Sequence, residues 1–114
     1  NPVTDQAYAV VQNGSNVVGS GEIAIDAITD PLVQGDNIFQ CTVVPTAADP
    51  NDTVATYTWV ANGAGLNNDA GAAVAGQDAQ RQFTTTAAGQ LRLTCTVTMT
   101  AGAGGVGQGS FTMP

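Results

Sequence analysis

Few side chains in this chain could do chemistry: nine acidic residues, two cysteines, Arg81 and Arg92, with no histidine and no lysine. Without His or Lys the usual general bases and amine nucleophiles are missing. A carboxylate pair could still serve a glycosidase. Asp49 and Asp52 share one connection, and Asp26 and Asp30 lie at the end of a strand-like run. These are short connections with no sign of a cleft, so the chain reads as a non-enzyme with no catalytic residues. The run Asp49-Pro50-Asn51-Asp52 suits a hard cation better, because calcium takes clustered carboxylate and carbonyl oxygens. Asp49, Asn51 and Asp52 are therefore the candidate metal ligands, and calcium is the only cofactor the sequence suggests. The competing reading is a plain turn whose Asx side chains bond their own backbone. That reading is the more economical one. Asn13-Gly14-Ser15 and Asn51-Asp52-Thr53 also fit the N-glycosylation acceptor pattern, which is short and frequent by chance.

The charge balance excludes several partners. The net charge is -7, with two arginines as the only cations. Nucleic-acid binding rests on neutralising phosphates with Lys and Arg, and attraction to anionic lipid fails for the same reason. No apolar run approaches the roughly 20 residues that span a bilayer, so direct membrane insertion is not expected. The acidity suits a soluble, self-repelling surface. The chain starts at Asn1 with no signal-peptide pattern, which fits a processed product or a segment of a longer surface protein.

The elements that must position these residues are strands. At 114 residues with 43% hydrophobic content there is room for one domain and one core. The fourteen glycines, with many Thr and Asn, go with β-structure and tight turns. Tyr8 to Gln12 and Asn16 to Val18 flank Asn13-Gly14-Ser15 as a plausible hairpin. Glu22 to Ile28 places Ile23, Ile25 and Ala27 on one face, and Asn37 to Val44 does the same for Phe39, Cys41 and Val43. Val54 to Ala61 carries Tyr57 and Trp59 on a common face. Asn62 to Gly76 has no periodicity and reads as a long, mobile connection with room for one short strand. It is the best candidate for a contact loop.

Gln80 to Thr86 is the next strand. In Gln90 to Thr100, Leu91, Leu93, Cys95, Val97 and Met99 alternate with wholly polar residues, as in an antiparallel sheet with one face in a core. Ala101 to Gly105 reads as a flexible turn before a last strand, Val106 to Met113. Residues 22–114 form the domain. Residues 1–21 are either its first strand or an arm that could add an edge strand to a neighbour.

Cys41 in one strand, Trp59 in the next and Cys95 in a late strand resemble the immunoglobulin superfamily pattern. The interval from Cys41 to Trp59 is longer than in antibody-type domains, and the tyrosine-corner position is Leu93. The chain is closer to bacterial and phage Ig-like modules of the polycystic-kidney-disease type. Tyr57-Thr58-Trp59 ending at Gly63 is similar to their Tyr-x-Trp strand. Gly89-Gln90-Leu91-Arg92-Leu93-Thr94-Cys95 is similar to their Gly-x-Tyr-x-Val-x-Leu strand, with Leu91 where Tyr is usual. The resemblance implies an all-β, immunoglobulin-like antiparallel sandwich of about 7–9 strands. It also implies a Cys41–Cys95 disulfide, against which stands a pair of free buried thiols behaving as small hydrophobes.

Such modules imply a non-enzymatic structural or binding role on a virion or cell surface: a capsid decoration, a tail or fibre domain, or a repeat of an adhesive surface protein. Its partners would be assembly proteins or surface glycans. The alternative is an accessory carbohydrate-binding or spacer module of a secreted polysaccharide-active enzyme. A sugar platform needs exposed aromatics, and Tyr8 is the only aromatic not assigned inward.

Overall fold

A computed structural model describes the backbone of residues 8–12, 22–45, 50–100 and 102–114. The predicted strand Asn16 to Val18 and the turn before it lie outside the described residues, as does Asp49. Among the described residues there are eight strands and no helix. In order they are β1 (Tyr8–Gln12), β2 (Glu22–Ala27), β3 (Asp36–Val44), β4 (Val54–Gly63), β5 (Val74–Gly76), β6 (Gln80–Thr84), β7 (Gly89–Met99) and β8 (Gly102–Met113). They form a five-stranded sheet ordered β1-β8-β7-β4-β5 and a three-stranded sheet ordered β2-β3-β6. Every pairing between strands is antiparallel.

The two sheets face each other over one core. β7 buries Leu91, Leu93, Cys95, Val97 and Met99, the five residues its alternation singles out. From the facing sheet come Ile23, Ile25, Phe39, Cys41 and Phe83. Three aromatic contacts stitch this interior: Phe39 meets Phe111 at 4.8 Å between ring centroids and Phe83 at 6.2 Å. Trp59 meets Phe83 edge-on at 6.0 Å, a geometry that the ring quadrupole favours. A core with so few aromatics gains from having them in mutual contact.

β8 departs from expectation. The segment read as a turn up to Gly105 is strand from Gly102 onward. Here glycine is what lets the strand pair so closely: a Cβ on Gly104 would stand 1.6 Å from the Val97 carbonyl oxygen. Further along, a Cβ on Gly107 would stand 2.7 Å from Ile23 Cγ2. The missing side chain of β8 is therefore the space that the Ile23 side chain of β2 fills, and the two sheets approach closely at this point. β1 pairs with β8 of the same chain, with Tyr8 opposite Gln108 and Val11 opposite Val106.

The connection between β4 and β5 also differs from the mobile loop expected. It folds onto the outer edge of β6. Asn67 N–H donates to the Thr84 carbonyl at 2.8 Å, and Thr84 N–H donates to Asn68 Oδ1 at 2.9 Å. Leu66 packs against the core, and Asp69 accepts an ion-paired hydrogen bond from Arg81. The unpaired backbone of an edge strand invites association with another chain, and this segment covers it.

The β2–β3 connection is held by a buried amide. Asn37 is fully buried. Its Oδ1 accepts from Val33 N–H at 2.9 Å, and its Nδ2 donates to the carbonyls of Val33 at 2.8 Å and Gly35 at 3.0 Å. Both ends of the amide are thus satisfied, which is the condition for burying it.

Candidate functional site

Of the acid run proposed for calcium, Asp49 lies outside the described residues. Asn51 is exposed, whereas Asp52 is buried. Asp52 Oδ1 accepts from Thr53 N–H at 2.9 Å and from Thr100 Oγ1 at 2.7 Å. Thr100 N–H in turn donates to the Thr53 carbonyl at 2.9 Å. The carboxylate therefore ties the start of β4 to the end of β7, as an Asx side chain does in a turn. Among the described residues no group of three or more His, Cys, Asp or Glu is placed to hold a metal ion. A hollow of about 410 Å³ is lined by Val43, Pro45, Asp52, Tyr57 and Met99, among others.

Cys41 and Cys95 are free thiols, both buried, on opposite sheets. The Cys95 thiol is within hydrogen-bonding reach of Cys41, and this contact, together with burial and the proximity of Cys41, pushes its pKa well above the ordinary thiol range. A contact from the Thr58 backbone works weakly the other way. A thiol so held stays protonated near neutrality and is a poor nucleophile. Tyr57, half-buried nearby, has its pKa raised chiefly by burial and then by Cys41 and Cys95.

What remains is the outer face of the five-stranded sheet. None of its five strands carries an acidic residue, and only one carries a basic one, Arg92. Antiparallel pairing sets the outward residues of β4, β7 and β8 in rows. Thr56 pairs with Thr98, Thr58 with Thr96 and Asn62 with Arg92, while Val106 pairs with Thr96, Gln108 with Thr94 and Ser110 with Arg92. Gln90 donates to Thr112 Oγ1 at 2.7 Å and accepts from Ser110 Oγ at 2.6 Å, which orders the end of the array.

Within this face a shallow depression of about 390 Å³ lies over the Leu93–Gly109 pair, and Arg92, Thr94, Gln108 and Ser110 stand at its four corners. Leu93 points into the core and Gly109 has no side chain, so the floor is backbone. Among the described residues Arg92 has neither an ion-pair nor a hydrogen-bond partner, whereas Arg81 is paired with Asp69 and lies 5.5 Å from the Phe83 ring centroid.

Sequence reasoning passed over this face because polar residues on a half-buried strand are the ordinary counterpart of a core. The signal was nonetheless there: no Asp or Glu occurs from Ala79 to Pro114 or from Thr53 to Asn68. The chemistry open to the face is recognition by hydroxyls, amides and one guanidinium. Among the described residues no helix is long and apolar enough to cross a membrane. No protein-family model, curated protein or solved structure matches this chain.

Proposed function

We propose that the chain is an immunoglobulin-like module of a virion or cell surface that works by adhesion or assembly contacts rather than by catalysis, with the outer face of β4, β7 and β8 as its working surface. The observation that carries this reading is the exclusion of acids. A protein of net charge -7 has kept all nine acidic residues off the five strands of one sheet. Uniform solubility would not require that segregation, whereas contact with a partner would, since charge is depleted where surfaces meet. The immunoglobulin-like assignment is supported by a cysteine on β3 and another on β7 in facing sheets, with Trp59 on β4 directly across from Cys95.

The test is staining of a panel of bacterial cells and purified surface polysaccharides with fluorescently labelled protein. The comparison is a Thr58→Asp/Thr96→Asp double variant with an unchanged melting temperature. Staining that the double variant loses supports the reading. Equal staining by both proteins overturns it, and so does hydrolysis of any member of the polysaccharide panel.

A further inference from the structure

We infer that the depression around Arg92 is a binding site for a carboxylate-bearing glycan, a uronate-type sugar, which names the ligand of the working face just proposed and rests on that reading. Arg92 is exposed on a sheet that has no acid in any strand, and among the described residues nothing pairs with it. A guanidinium presents a planar fork that matches a carboxylate in two parallel hydrogen bonds. Thr94, Gln108 and Ser110 complete the corners of the depression, supplying neutral donors and acceptors at the spacing of a pleated sheet, about 4.8 Å across strands and about 6.7 Å along them. That combination fits a ring bearing one carboxylate and several hydroxyls.

An acidic peptide is the competing occupant, and the backbone argues against it. β7 is paired on both sides, with β4 and β8, and β8 is paired with β7 and β1. The floor therefore offers no free N–H or C=O for strand addition, the usual source of affinity for an extended peptide.

Glu22, Asp26 and Asp36 belong to β2 and β3 of the facing sheet, and stacked sheets lie about 10 Å apart. Asp69 is taken up by Arg81. The carboxylate would meet Arg92 at contact distance, and the three acids of β2 and β3 lie across the width of the domain.

The experiment is titration of the protein with oligogalacturonate and oligoalginate, with neutral gluco-oligosaccharides, oligoglutamate and dextran sulfate as comparisons, at physiological salt. Binding to the uronates and not to neutral sugars is expected. It should fall at least ten-fold in Arg92→Gln and stay unchanged in Asp36→Asn, which lies on the other sheet. Arg92→Lys should recover only part of the affinity, since an ammonium cannot make the forked contact. Equal, Arg92-dependent binding of oligoglutamate would overturn the glycan assignment in favour of acidic peptides. Dextran sulfate binding as tight as the uronates would reduce the site to a generic anion contact and also overturn it. If no uronate binds yet Thr58→Asp/Thr96→Asp still abolishes cell staining, the ligand class fails and the binding-module reading stands.

Discussion

Trp59 and Cys95 face each other directly across the β4–β7 ladder, and each then reaches toward the other sheet: the indole edge to Phe83 at 6.0 Å, the thiol to Cys41. The indole Nε1 donates outward to the Asp78 carbonyl at 3.2 Å, so the ring is buried without leaving its polar atom unpaired. This pair joins the two sheets at the centre of the domain, and the stability of the fold should be sensitive to the state of the thiols.

In the reduced protein the folded Cys95 thiol holds its proton above the pH at which an unfolded thiol loses it, near about 8.5. Above that pH the unfolded chain binds fewer protons than the folded one, so stability falls as pH rises. The contribution is complete below about pH 8 and declines by up to about 1.4 kcal/mol per pH unit above it. Urea midpoints measured in reductant between about pH 8 and 9.5, below the ordinary Tyr range, should show this decline. A Cys41–Cys95 bridge would abolish it, and alkylation followed by intact-mass measurement without reductant distinguishes the two forms.

Gly107→Ala should destabilise the domain by about 1–3 kcal/mol, the usual cost of overfilling a packed interior. The new methyl would stand 2.7 Å from Ile23 Cγ2 and 3.3 Å from the Ile23 carbonyl oxygen. An accompanying Ile23→Val change, which removes only the more distal methyl of the Ile23 side chain, should recover little, because the backbone oxygen cannot yield. Thermal melts of the single and double variants measure this.

Asn37→Ala should cost about 2 kcal/mol, because it strands Val33 N–H and the carbonyls of Val33 and Gly35 in the β2–β3 connection. Asn37→Asp should cost at least as much, because it keeps the bond from Val33 N–H but turns a buried carboxylate oxygen toward the Val33 and Gly35 carbonyls. Equilibrium urea denaturation of the three proteins places wild type above both variants if the amide is what holds the turn.

Asn68→Ala removes the side chain that accepts from Thr84 N–H on the outer edge of β6. The expected outcome is a modest loss of stability, about 1 kcal/mol, together with concentration-dependent self-association from the uncovered edge. Sedimentation velocity across a concentration series reads it directly. A variant that stays monomeric at every concentration would show that the cover is not what keeps β6 apart from its neighbours.

How much of this could be read from the sequence depends on how far the information lies along the chain. β7 was legible because eleven residues alternate without interruption, and the five apolar ones are the five that are buried. The full length of β8 was not, because Gly104, Gly105, Gly107 and Gly109 have no side chains to alternate. Their positions make sense only against Val97 and Ile23, which belong to other strands. The same holds for the connection after β4. Its role as a cover depends on Asn68 meeting Thr84, sixteen residues away, and composition suggests only a loop. Arg92 was visible as a polar residue on a core strand, but its setting was not, since Asn62 and Ser110 flank it only through the registers of two ladders.

Over residues 56–61 of β4, 91–97 of β7 and 105–113 of β8 the odd-numbered residues turn inward and the even-numbered ones outward. Tyr57, Trp59 and Ala61, the run from Leu91 to Met99, and Gly107 to Met113 share one parity, while Thr58, Arg92 and Ser110 share the other. A lineage carrying this domain could therefore rewrite every second letter of three strands and leave the interior untouched. Selection for a new attachment target and selection for folding would act on separate alphabets. That independence allows one scaffold to diversify rapidly at its surface while its core drifts slowly.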